Sequence, residues 1–100
     1  MIYSVQEILD IYDLKNASWS GAVDTIQFLI DLDNYDLQRE FINYLNDYIQ
    51  ENYNGNIDQT ELNDLLWFED QFMIEFYQLN YEDQLINKEQ YNKIKEYYGI

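Results

Sequence analysis

The chain has 100 residues, no proline, cysteine or histidine, and twenty acids against five basic residues, for a formal net charge of −15. These counts exclude disulfides, thiolate zinc sites and the usual imidazole base and cysteine nucleophile, and so negative a surface repels nucleic acid and anionic lipid. Eighteen per cent of the residues are aromatic, eleven of them tyrosine, which is too many for a disordered polyanion, so a folded acidic domain is expected.

Helix starts repeat a pattern in which an apolar residue precedes Ser, Asp or Asn, and an acid or amide follows three positions later. The first lies at Tyr3 in YSVQEI, where Ser4 caps, Glu7 completes a capping box, and Val5, Ile8, Leu9 and Tyr12 form an apolar face. Met1 to Tyr3 is expected to be a short extended piece. A second helix begins at Ser20 in SWSGAVDTIQFLI, with Asp24 near the positive end of the helix dipole. The third starts from Leu32 in LDNYDL, capped by Asp33 with the shorter box partner Asp36, and buries Leu37, Phe41, Tyr44, Leu45 and Tyr48.

The fourth start is Ile57 in IDQTEL, with Asp58 as cap, Glu61 as box partner, and Ile57 and Leu62 as a hydrophobic staple. One helix is expected from Gln59 to Leu79. Leu65, Phe68, Phe72, Phe76 and Leu79 mark its stripe, yet Leu66, Trp67, Met73, Ile74 and Tyr77 fall outside it. Such a helix is the buried centre of the domain or is covered by a second chain. A short extended piece is expected around Tyr81 to Ile86, before the last helix at Ile86 in INKEQY, capped by Asn87 with Gln90. With no stretch reading as a linker, the expected fold is all-α, one domain over residues 1–100, a compact bundle of about five short helices with a short extended segment.

The stretch QENYNGNIDQTE, Gln50 to Glu61, fills the twelve positions of an EF-hand calcium loop, with Gly55 at the sixth and Glu61 at the twelfth. Its first position is Gln50 and its third and fifth are the amides Asn52 and Asn54, so Asp58 and Glu61 alone would bring charge to the ion. A capped turn between two helices accounts for every residue, Gly55 ending the preceding helix at positive φ, and no metal or other cofactor is expected. No enzyme is expected either. The adjacent carboxylates Glu69 and Asp70 point about 100° apart on a helix and cannot converge on one substrate atom.

What remains is the placement of charge. Asp36, Glu40, Asp47 and Glu51 fall on one face of the third helix, a ridge of carboxylates about 6 to 10 Å apart along the axis. Residues 1–87 hold eighteen acids against Lys15 and Arg39 alone, whereas natural surfaces usually mix signs to limit self-repulsion. Rows of carboxylates can imitate the phosphate ladder of DNA, to which basic channels bind with little regard to sequence. The expected binding surface therefore comprises the ridge with Tyr53, Asp58, Glu61, Asp64, Trp67, Glu69 and Asp70, and the expected partner is a basic protein.

Ile, Asn and Tyr supply 34 residues and Ala, Gly, Arg and Pro only six, a bias expected of an AT-rich genome. The segments WSGA, Trp19 to Ala22, and ELNDLLWFE, Glu61 to Glu69, resemble those of small acidic proteins encoded by phages and mobile elements of AT-rich Gram-positive bacteria. That resemblance carries no catalytic motif. It implies the company of anti-CRISPR and anti-restriction DNA mimics, hence an inhibitor occupying the nucleic-acid channel of a CRISPR effector or restriction nuclease. The alternatives are a structural or assembly module of a mobile element, homodimeric through Gln59 to Leu79, and a degenerate EF-hand-like helix-loop-helix. The absence of an apolar leader or a long apolar run places the expected site of action in the cytoplasm of the host bacterial cell, with no membrane contact.

Overall fold

Two amides and two aspartates set where four of the helices begin. In the computed structural model, which describes residues 2–4 and 7–100, the elements in chain order are β1 (Ile2–Ser4), α1 (Ile11–Asn16), α2 (Gly21–Asp31), α3 (Tyr35–Tyr53), β2 (Asn56–Asp58), α4 (Gln59–Phe68), α5 (Asp70–Glu82) and α6 (Lys88–Tyr98). Asn87 and Gln90 form a reciprocal capping box at α6, and Asp58 accepts the Thr60 N–H at the start of α4. At α3 the cap is Asn34, accepting the Leu37 N–H at 3.0 Å, one residue later than the expected Asp33. Asp33 instead takes φ 54° in the turn before it.

The first helix differs more. Ser4 belongs to β1, which runs antiparallel to β2 with Tyr3 opposite Ile57, so the residue expected to cap the first helix is part of a strand. The cap is Asp10, in a box with Asp13, and α1 buries Ile11 and Leu14. Of the expected apolar face, Ile8 is buried, Leu9 and Tyr12 are exposed, and Val5 lies outside the described residues. Met1, likewise, lies outside the described part of the expected extended piece.

The expected single helix from Gln59 to Leu79 is two. The chain breaks at Glu69, whose φ −94° and ψ 70° are not helical. This break explains the two conflicting apolar phases: α4 buries Leu62, Leu65 and Leu66, whereas α5 turns Phe72, Met73, Ile74, Phe76 and Tyr77 inward. Tyr81 to Ile86 is not extended. It holds the last residues of α5 and a turn in which Gln84 has φ 65°.

One core joins all six helices and β2. Its centre is aromatic: Phe41 of α3 meets Phe76 of α5 edge-on at 5.0 Å, and Tyr44 lies 5.0 Å from Phe72 while its hydroxyl donates to the Phe72 carbonyl at 3.1 Å. On the opposite side, α2 and α4 meet in a close joint. The Trp19 N–H donates to the buried Asn63 Oδ1 at 2.9 Å, and the Trp67 indole lies against the backbone of Gly21 so closely that a methyl group there would collide with Nε1 and Cδ1. WSGA and ELNDLLWFE, far apart in the sequence, are thus the two halves of one packing contact. Between them Ser20 takes φ 54° and ψ −132°, a region that favours glycine.

Gly21→Ala is expected to destabilise the fold by about 2 to 3 kcal/mol through overpacking, and Ser20→Gly to stabilise it by about 1 kcal/mol by relieving the backbone. Urea melts of the two variants check both signs. A Gly21→Ala and Trp67→Ala cycle should return a large coupling, since the methyl group has nothing to strike once the indole is gone.

Candidate functional site

The 19 residues of α3, the longest helix among the described residues, span about 28 Å. Its inner face buries Leu37, Phe41, Leu45 and Ile49, so helical geometry turns Asp36, Glu40, Asp47 and Glu51 outward together. All four are exposed, as is Asn43 between them. Between described residues one ion pair forms, Arg39 to Asp36 at 3.0 Å, on the first turn of α3. Both partners are largely in solvent, so the pair adds little stability, but it offsets the charge at one end of the ridge. Lys15, the other cation before residue 88, donates to Gln27 Oε1 at 2.6 Å.

A second feature opens beside the C-terminal half of α3. Tyr48, Tyr53, Leu65, Phe68 and Phe72, with the carboxylates Glu61, Asp64, Glu69 and Glu75, line a cleft of about 600 Å³. Its aromatic lining follows from the core: Tyr48 packs 4.8 Å from Phe72 at 67°, and Tyr53 lies 6.3 Å from Tyr48. Phe68 is 62% exposed and stacks on Trp67 at 4.5 Å and 15°. Burial, then the field of Glu61, push the Tyr53 hydroxyl above its ordinary value, and burial followed by Glu75 does the same to Tyr44.

The structure therefore divides the expected binding residues among three places. Asp36, Glu40, Asp47 and Glu51 make the ridge, and Tyr53, Glu61, Asp64 and Glu69 share the cleft. Asp58 is at the start of α4 as its cap, Trp67 is 39% exposed and packs on Gly21, and Asp70 lies outside the cleft near Tyr97 and Tyr98, whose hydroxyls are raised first by burial and to a lesser degree by its charge. Glu69 lines the cleft and Asp70 does not, and Glu69 lies in the break between α4 and α5, so the expected 100° helical offset does not apply to the pair. Glu75 belongs to the cleft and was not anticipated. Its spacing of three residues from Phe72 puts the two on one face of α5 and is the signal available in sequence.

No family model, curated protein or solved structure matches the chain. Among the described residues no group of three or more acids is placed to hold a metal ion. Gln50, Glu51 and Asn52 are still in α3, Asn54 and Gly55 share the reversal at φ 54° and 88°, and Asn56 to Asp58 form β2, so the twelve residues resembling a calcium loop are a helix end, a turn and a strand. No helix among the described residues is long and apolar enough to cross a membrane.

Two outcomes follow. Millimolar calcium should leave the melting temperature and tryptophan fluorescence where equal magnesium leaves them; a calcium-selective rise of several degrees would overturn the capped-turn reading. The second concerns tyrosine. Burial raises the hydroxyls of Tyr77 and Tyr98 well above the usual value near 10, more than those of Tyr44, Tyr53 and Tyr97. The folded state therefore holds more protons than the unfolded one only above about pH 10, so their contribution is intact below that pH and is lost as pH rises through the folded values. A pH titration of tyrosinate absorbance should show the buried group ionising together with loss of helical circular dichroism. Tyr77→Phe removes a buried hydroxyl without a hydrogen-bond partner and should stabilise the fold by about 1 kcal/mol.

Proposed function

We propose that this protein is an inhibitor of a bacterial defence nuclease, carried by a phage or mobile element, and that it occupies a basic nucleic-acid channel with the acidic ridge of α3. The observation that carries the reading is the ridge itself: four exposed carboxylates in a row on one 19-residue helix, offset by a single arginine. The rise per residue gives the row a length of about 22 Å. Rigidity matters because a ladder of charge fixed in place need not be ordered on binding. Outside α1, with one acid and one lysine, and α6, which holds three lysines against two glutamates, the remaining helices are also acidic, which would steer the protein toward a basic channel and accelerate encounter. A CRISPR effector is the favoured target and a restriction nuclease the next, both in the cytoplasm of the host cell. The protein on this reading acts by binding; among the described residues no nucleophile, base and oxyanion donor are gathered in one place.

A homodimeric assembly module is the second reading, favoured by the exposure of Trp67 and Phe68 on α4 and Leu79 on α5. Sedimentation equilibrium separates the two, because the module requires a dimer at micromolar concentration and the inhibitor does not.

Replacing Asp36, Glu40, Asp47 and Glu51 by Asn or Gln keeps shape and removes four charges. Against an RNA-loaded CRISPR effector in biolayer interferometry, the variant should associate about tenfold more slowly at low salt, with the deficit shrinking as salt rises. Excess duplex DNA should block the parent. If the variant binds as the parent does, or DNA and protein bind together, the ladder is wrong.

A further inference from the structure

The cleft between α3, α4 and α5 differs in chemistry from the ridge. Its wall is aromatic, its rim holds Glu61, Asp64, Glu69 and Glu75, and neither lysine nor arginine lines it. Phe68, the last residue of α4, is among the lining residues and is 62% exposed, so its ring is open to a ligand. Carboxylates alone would retain a hydrated cation, and aromatic faces alone an apolar side chain. Both together on a concave surface suit a cation that is flat and weakly hydrated.

The guanidinium group has those properties. Its two faces stack on aromatic rings, and its in-plane N–H groups fork onto carboxylates, whereas a lysine ammonium is compact, strongly hydrated and cannot stack. The cleft volume of about 600 Å³ exceeds the need of one guanidinium and leaves room for the arginine stem and the residues beside it. We infer that this cleft seats an arginine side chain presented by a basic partner protein, stacked against Phe68 and Tyr48 and held by the carboxylates of α4 and α5. This rests on the reading that the partner is basic. It does not rest on DNA mimicry, because none of the four ridge carboxylates lines the cleft.

The test uses the whole chain with two short unstructured peptides, one with arginines spaced by glycine and serine, the other with lysine at the same positions. In calorimetry at physiological ionic strength the arginine peptide should bind about fivefold more tightly. Amide shifts in the nitrogen-15 spectrum should gather at Tyr53, Phe68 and Glu69. Phe68→Ala changes no charge and removes an exposed ring, so it should fold normally and lose about fivefold in affinity. Asp64→Asn with Glu75→Gln should lose at least about tenfold, and Glu40→Gln with Asp47→Asn, an equal change in charge, less than about twofold. Equal binding of the two peptides, equal loss in both double variants, or shifts spread along α3 would overturn the arginine seat. Because no nuclease enters this assay, a ladder that fails against the effector leaves the seat standing, and a seat that fails leaves the ladder to its own test.

Discussion

The indole of Trp67 rests on the bare backbone of Gly21, and the placement of α4 follows from that contact. A side chain at position 21 would hold α2 and α4 apart, whereas glycine lets them close until the Trp19 N–H reaches Asn63. With one face of α4 fixed on α2, its other face presents Glu61, Asp64 and Phe68 to α3 and α5 and becomes a wall of the cleft. Phe68 is tied in directly, since its ring stacks on the same indole. The joint that closes the fold on one side thus opens the site on the other, and the two sequence segments that resemble acidic mobile-element proteins are its structural parts.

A chain with this charge cannot rely on ion pairs for tertiary structure, and amides take their place. Asn34 Nδ2 donates to the Leu85 carbonyl at 2.8 Å and Gln90 Nε2 to the Leu32 carbonyl at 3.1 Å, tying the turn before α3 to the turn before α6. Asn46 reaches the Ile8 carbonyl, and Gln59 that of Ala17. Neutral hydrogen bonds of this kind are indifferent to the surrounding field of carboxylates and to salt, and the aromatic core supplies the apolar burial on which stability rests.

Much of this was legible in the sequence, because caps are local. Asn87 with Gln90 and Asp58 announce α6 and α4, and the spacing of Leu37, Phe41 and Leu45 gives the inner face of α3 and so the ridge opposite. Ser4 with Glu7 satisfies the same local rule, yet β1 pairs with β2 more than fifty residues away, and tertiary pairing overrode the cap. The break at Glu69 was concealed by a stripe that continues in helical phase through Phe68 and Phe72, without glycine or proline to mark it. Only the off-stripe residues Leu66, Met73, Ile74 and Tyr77 betrayed a second inward face. The ridge lies on one helix and could be counted out. The cleft gathers side chains from three helices, and no spacing rule brings Glu75 to Glu61.

The pairing of β1 with β2 also sets an order of events during synthesis. Ile2 to Ser4 leave the ribosome with no partner, because Asn56 to Asp58 have yet to be made. At roughly 5 to 20 residues per second this interval lasts about 3 to 10 seconds, far longer than the microseconds in which a helix such as α3 forms. The residues of α1, α2 and α3 are therefore all synthesised before the strand can be captured, and the turn that ends α3 brings β2 back as its clasp.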